Sequence, residues 1–369
     1  MKRLVYITSL MLAFCAVLDA KVPVRRSFPA SDAKITFVGR TFKDGPAVSF
    51  DWSGVYARIR FTGNYLAMKA SDTGRNYFNV WVDSPQNSEP QAIVSTHGED
   101  SLIVLFEGNG KASAVHDVVL QKRTEGSQGK VSISSFVLEG QLLQAEGVKN
   151  RMIEVVGDSF TCGYGSENSV KTDPFKPETE NCNKSYSCIV PRYFGADYML
   201  VAHSGIGIAR NYGDTSKEGY MWERYTRTYD CDKESIWDAG QSGFNPDITI
   251  VYLGTNDFST RRQPTLPAFT EGYMTLLKEI KDYWGEDHPI LCVAPPRDYL
   301  CAQYVNEVVK HCGMENVHMA VLTPSVINTD GDLGASNHPS YSGHIKKAMV
   351  LIPYISSITG WEVSGNPVL

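Results

Sequence analysis

An acyl-transfer reaction needs a hydroxyl that can lose its proton and a base placed to take it. In this chain an apolar run stops abruptly in Val156-Gly157-Asp158-Ser159-Phe160, and a histidine stands far downstream in Asn337-His338-Pro339-Ser340. Ser159 is predicted at the turn from a strand into a helix, where the field of the helix N-terminus favours negative charge developing on oxygen. His338 precedes a proline, which holds it in extended, pre-helical backbone. Two more segments, His203-Ser204-Gly205-Ile206-Gly207 and Leu253-Gly254-Thr255-Asn256-Asp257, follow strand-like runs at Tyr198 to Ala202 and Ile248 to Leu253. Ligands of parallel sheets bind outside the carboxyl ends of the strands, so these strand ends and the histidine loop are expected to meet in one crevice. A lone Gly-Asp-Ser is also an ordinary turn or N-cap, and the combination carries the reading.

The order of these blocks, between Ile153 and His344, resembles the SGNH (GDSL) hydrolase superfamily. More narrowly, Gly157-Asp158-Ser159-Phe160-Thr161-Cys162-Gly163-Tyr164-Gly165, the run His203 to Gly213, and Leu253-Gly254-Thr255-Asn256-Asp257-Phe258-Ser259 are similar to carbohydrate esterase family 2. The resemblance implies a secreted serine esterase that removes O-acetyl groups from plant polysaccharides such as xylan or glucomannan, at primary 6-hydroxyls, without metal or cofactor. It implies Ser159 as nucleophile and His338 as base. The oxyanion hole would be the N–H of Ser159, the N–H of Gly205 and the side-chain amide of Asn256; glycine at 205 lets backbone approach the substrate closely. Tyr212 resembles an aromatic lining the family's site, against which a pyranose C–H face packs. Two other readings stay open: another SGNH esterase or lipase, which needs a long apolar groove, and a sugar-binding protein with weak catalysis.

What orients His338 is also open. Many superfamily members carry aspartate three residues before the histidine, here Ala335, and family 2 more often two before, here Ser336. Either a backbone carbonyl holds Nδ1–H, leaving a Ser159–His338 dyad, or Asp332 folds back; Asp330 and Asp332, beside Gly331 and Gly334, equally fit a solvated turn. His203 and His344 are rivals to His338, the first fitting a core histidine and the second falling on a predicted helix. Trp222, Tyr225 and Arg227 lie on an insertion expected at the cleft rim or in the core beside it. Asn168 to Lys184 reads as a polar surface loop, with Asn183-Lys184-Ser185 a glycosylation sequon.

The elements that must position these residues fall into two regimes. From Lys34 to Glu139, short segments with period-two alternation are separated by Gly, Asp, Asn and Pro clusters, predicting an antiparallel β-sandwich of the jelly-roll kind over 28–142. The pattern changes across Gln141 to Arg151. Beyond it, apolar runs at Met152 to Val156, Tyr198 to Ala202, Ile248 to Leu253, Ile290 to Ala294 and Val317 to Leu322 alternate with helical segments at Pro267 to Tyr283, Tyr299 to His311 and Ser340 to Tyr354. Near-continuous apolar strands between helices predict a parallel sheet covered on both faces, a three-layer α/β/α domain over 150–364.

Residues 1–20 carry Lys2 and Arg3, an apolar stretch from Leu4 to Leu18 broken only by Thr8 and Ser9, and Ala20, the layout of a secretory signal peptide. Bulky Phe14 before Cys15 argues against a lipid anchor, so the expected location is secreted or periplasmic. No later run is long and apolar enough to cross a bilayer. A net charge of −6 makes a poor partner for phosphate and argues against nucleic acid. The seven cysteines beyond residue 20 lack C-x-x-C pairs, which argues against structural zinc. Cys182 with Cys188 and Cys301 with Cys312 are the close-spaced disulfide options, and Cys162 reads as a packing residue.

Overall fold

In a computed structural model the described residues are 24–214, 219–260, 262–296 and 299–363; the predicted signal segment lies outside them. Ten strands form the first part: β1 (Arg25–Pro29), β2 (Thr36–Val38), β3 (Phe42–Asp44), β4 (Ala47–Phe50), β5 (Tyr56–Thr62), β6 (Tyr65–Val82), β7 (Ala92–Glu107), β8 (Val115–Lys122), β9 (Val131–Glu139) and β10 (Leu142–Leu143). They make one antiparallel sheet in the order β10-β5-β8-β6-β9-β4-β3, with β1 on β9, β2 on β5 and β7 on β6. The predicted sandwich is therefore continuous. The 18-residue β6 gives Phe78–Val82 to β8 and Leu66–Asp72 to β9. Register shifts near Lys69–Asp72 bend the strand, so the sheet curls around its own core. The first half of β6 escapes an alternation search because Tyr65–Met68 is buried at every position, whereas much of β7 is exposed on both faces.

The second part runs β11 (Met152–Gly157), α1 (Ser159–Cys162), α2 (Tyr186–Tyr193), β12 (Asp197–Ala202), α3 (Met221–Tyr225), β13 (Arg227–Tyr229), β14 (Asp232–Ile236), α4 (Ala239–Ser242), β15 (Ile248–Tyr252), α5 (Leu266–Trp284), β16 (Ile290–Ala294), α6 (Tyr299–His311), β17 (Val317–Val321) and α7 (Tyr341–Thr359). Five strands form a parallel sheet in the order β12-β11-β15-β16-β17. Alternate strand residues face opposite layers. Val156, Val251 and Cys292 pack with α5 and α6 residues such as Phe269 and Val305; Val155, Ile250 and Leu291 pack with α2 and α7 residues such as Ile189 and Leu351. The chain leaves β11 for β12 on one side and later returns to β15 on the other, which opens a crevice at the carboxyl ends of β11 and β15. Ser159 and Asn256 stand there.

Buried polar contacts join the two parts. Arg40 and Glu154, both fully buried, approach to 3.4 Å, and Arg40 also donates to the carbonyls of Tyr225 and of Arg227. Arg58 and the Tyr56 hydroxyl both donate to Asp197, at 3.1 and 2.8 Å, and the Trp52 indole donates to the Thr228 carbonyl at 3.0 Å. Tyr225 and Arg227 thus belong to this seam and not to the cleft rim: the Tyr225 hydroxyl donates to Glu154 at 2.9 Å, and Arg227 caps the Asp230 carbonyl at 2.8 Å.

Candidate active site

Ser159 opens α1 directly after β11. Asp158 is the N-cap, and its carboxylate accepts the Phe160 N–H at 3.0 Å. That leaves the Ser159 N–H without an acceptor among the described residues, as the first turn of a helix provides. His338 is delivered by an unusual turn in which Ser336 and Asn337 both take left-handed backbone, with φ of 52° and 59°. Non-glycine residues adopt this conformation at a cost and persist in it where their surroundings fix them. Here the Ser336 N–H donates to the Asp173 carbonyl and the Asn337 N–H to the Lys171 carbonyl, each at 2.9 Å, pinning the turn to the loop after α1.

The result places His338 Nε2 2.9 Å from Ser159 Oγ and His338 Nδ1 3.2 Å from the Ser336 carbonyl oxygen. A carbonyl only accepts, so in the neutral ring Nδ1 carries the proton and Nε2 offers its lone pair to the serine hydroxyl. Asp332 takes no part. Its carboxylate accepts from Lys346 and Ser342, each at 2.6 Å, and from the N–H groups of Asn328 and Thr329. Burial would raise its pKa, but these donors outweigh burial and hold it well below the usual carboxylate range. The imidazole lies against the Tyr164 ring, centroids 4.2 Å apart, with Phe175 stacked on the far side of Tyr164 at 4.0 Å and the Phe160 ring nearly perpendicular to the imidazole, centroids 5.2 Å apart.

Gly205 has φ of +80° and an N–H with no acceptor among the described residues. A side chain at Gly207 would strike the Arg210 carbonyl and the Asp257 carboxylate. Asp257, to which the motif resemblance assigns no role, organises this loop: its buried carboxylate accepts the N–H groups of Ile208, Ala209 and Arg210 at 3.0, 2.7 and 2.9 Å. Asn256 Nδ2 donates to the Ile206 carbonyl at 2.6 Å and lies 3.4 Å from Asp158 Oδ2. One amide proton thus fixes the side chain, and the other is only loosely engaged. Tyr212, 59% exposed, donates its N–H to the Gly205 carbonyl at 2.8 Å and stands at the rim. The Trp222 indole braces the loop through the Ile208 carbonyl at 3.1 Å.

The rival histidines are engaged elsewhere. His203 Nδ1 lies 2.6 Å from Asp230. His344 is fully buried, accepts the Tyr186 N–H at 3.4 Å and is held far from protonation by burial. The tract from Asn168 to Lys184, expected as a surface loop, turns inward over its last third: Glu180, Asn181, Cys182 and Asn183 are buried. The Asn183 side-chain amide, the sequon nitrogen, donates to the Gln86 carbonyl at 2.9 Å and is not presented for glycosylation. The seven cysteines among the described residues are free thiols, so neither disulfide option forms. Glu125, Cys162 and Glu180 bring possible ligand atoms within 4.8 Å of one another. Burial pushes the Cys162 pKa well above the usual range, and its thiol donates to Glu125 at 3.4 Å.

Residues 37–145 match the family described as Carbohydrate esterase 2 N-terminal, and residues 155–345 match the GDSL-like Lipase/Acylhydrolase family. The chain is 33% identical over 335 residues to Cellulase/esterase CelE of Acetivibrio thermocellus, covering 89% of this chain but only 40% of that longer protein. It is 26% identical over 342 residues to an acetylxylan esterase / glucomannan deacetylase of Cellvibrio japonicus, covering 87% of this chain and 90% of the relative. A solved structure of a family two carbohydrate esterase from Clostridium thermocellum in complex with cellohexaose superimposes with a TM-score of 0.81 at 32% identity, over 89% of this chain and 100% of that one. With its curled antiparallel domain ahead of a parallel-sheet hydrolase domain, the chain belongs to carbohydrate esterase family 2.

Proposed function

We propose that this esterase is secreted or periplasmic and removes O-acetyl groups, at primary 6-hydroxyls, from hemicelluloses such as xylan or glucomannan, using Ser159 and His338 as a dyad. The 2.9 Å approach of His338 Nε2 to Ser159 Oγ, with Nδ1 held by the Ser336 carbonyl, carries this reading. Ser159 Oγ attacks the acetyl carbonyl carbon as its proton passes to Nε2. The oxyanion is received by the N–H groups of Ser159 and Gly205 and the loosely engaged amide proton of Asn256. Collapse expels the sugar oxygen, which takes the proton from His338, and water then releases acetate from the acyl-enzyme by the same two proton transfers reversed. Exposed Tyr212 suits the apolar face of a pyranose ring. The Cellvibrio japonicus relative, described as a glucomannan deacetylase, supports the substrate class, and the layout of residues 1–20 supports export.

Acetate release from acetylated xylan and glucomannan, abolished in Ser159→Ala, tests the activity, and the acetyl NMR signals that disappear identify the position cleaved. Faster turnover of long-chain p-nitrophenyl esters than of the acetate ester would overturn the substrate assignment.

A further inference from the structure

Lysine is almost never fully buried unless paired, yet Lys347 of α7 is fully buried behind the nucleophile. Its ammonium donates to the Tyr252 hydroxyl at 2.9 Å and sits 3.8 Å from the centroid of the Phe160 ring. Among the described residues no carboxylate comes within 4.0 Å of it. Asp158, also fully buried, meets the same residue from its backbone side, accepting the N–H of the Phe160 whose ring the ammonium faces. Burial pushes each toward its neutral form, Asp158 upward and Lys347 downward, and each opposes that push in the other.

Asp158 occupies a demanding position. As N-cap of α1 it fixes the Phe160 N–H and thereby the backbone of Ser159, and its second oxygen lies 3.4 Å from the Asn256 amide. An ionised carboxylate there secures the cap but opposes negative charge developing a few ångströms away. A protonated one removes the opposing charge but offers a weaker cap. A buried cation behind it resolves the conflict, because the pair presents a dipole in place of a net negative charge.

We propose that Lys347 is a positioning residue of the oxyanion hole, acting through Asp158: from the far side of Phe160 it offsets the field of the N-cap carboxylate at the oxyanion. This rests on the esterase reading above. It assigns to a residue of the helix after the histidine loop a role in transition-state charge, without contact with substrate. Phe160 links the same ammonium to the dyad, since its ring faces Lys347 and packs nearly perpendicular to the His338 imidazole.

The test compares wild type with Lys347→Met, Asp158→Asn and the double variant K347M/D158N, using acetyl ester hydrolysis at saturating and limiting substrate. The Lys347→Met enzyme is expected to lose about 10- to 100-fold in kcat with KM within about twofold. The double variant, with both charges of the pair removed, should regain at least about tenfold of that loss. A purely structural lysine would give no recovery of kcat when the second charge is removed. Kinetics of Lys347→Met within about threefold of wild type, or a double variant no faster than the single, would overturn the proposal. If Lys347→Met does not fold, comparison of Asp158→Asn with the double variant decides: with the carboxylate gone the lysine has nothing to offset, so the two should agree in kcat within about threefold, and a further loss of about tenfold or more in the double variant counts against a role exercised through Asp158. Should wild type release no acetate, the esterase reading fails separately, and sulfonylation of Ser159 by phenylmethylsulfonyl fluoride supplies the rate for the same comparison.

Discussion

His338 Nδ1 and the Ser336 carbonyl oxygen lie 3.2 Å apart, two residues from each other on a turn whose backbone is left-handed at both Ser336 and Asn337. The group that orients the imidazole is therefore main chain, and Asp332 is committed to Lys346, Ser342 and two N–H groups. Asp332→Asn should leave kcat within about threefold of wild type while lowering stability by about 1–3 kcal/mol. Its pKa is depressed in the folded chain, so this contribution is present at neutral pH and is lost as pH falls below the ordinary aspartate range. Urea titrations of both proteins at neutral and acidic pH, beside steady-state kinetics, measure this; a fall in kcat of several orders of magnitude would return Asp332 to the mechanism.

Asn256→Ala should lower kcat about 100- to 1000-fold, the usual effect of deleting one oxyanion donor. The lost hydrogen bond to Ile206 adds about 1 kcal/mol of destabilisation. Circular dichroism should show the fold intact while acetate release collapses.

The Tyr164 ring packs on the His338 imidazole and is itself backed by Phe175. Removing one such ring costs about 0.5–1.5 kcal/mol, so Tyr164→Leu should slow turnover by up to about tenfold. Phe175→Leu should have a smaller effect in the same direction, measured as kcat on a soluble acetylated sugar.

Burial pulls the His203 pKa down, but the Asp230 carboxylate outweighs it and holds it above 6.5. A raised folded-state value means that the stabilisation is complete below the unfolded value and disappears as pH rises through the folded one. The melting-temperature gap between wild type and His203→Gln should accordingly be widest on the acid side of 6.5 and narrow with rising pH. A gap that widens toward alkaline pH would contradict the pairing.

Glu154 accepts from Thr249, Tyr225 and Trp284, each at 2.9 Å, and faces Arg40. Glu154→Gln strands a buried guanidinium and should cost about 3–5 kcal/mol, with Arg40→Met in the same background restoring part of it. Chemical denaturation of the three proteins measures the coupling.

Much of the site is legible in the sequence because Ser159 and Asn256 lie just past runs buried on both faces of a parallel sheet, as does Gly205, and His338 is marked by the proline after it. The rest is hidden for physical reasons. A backbone carbonyl such as that of Ser336 exists at every residue and leaves no mark in composition. Buried polar residues such as Glu180 and Asn181 read as exposed because their partners are remote in sequence: the Asn79 amide donates to Asn181 at 3.0 Å, and the Glu125 N–H to Glu180 at 3.1 Å. Lys347 and Arg40 mislead in the same way. The first half of β6 and the two-faced β7 show no alternation to detect.

The seam built on Arg40–Glu154 and Arg58–Asp197 has an implication for engineering. Cutting the front domain away would expose the hydrolase half's Glu154 and Asp197 with their cationic mates gone, and would leave Arg40 and Arg58 stranded on the excised piece. Neither half is a portable cassette. Chimaeras should therefore exchange both as one block, and a truncated hydrolase domain should emerge insoluble unless the orphaned acids are replaced too.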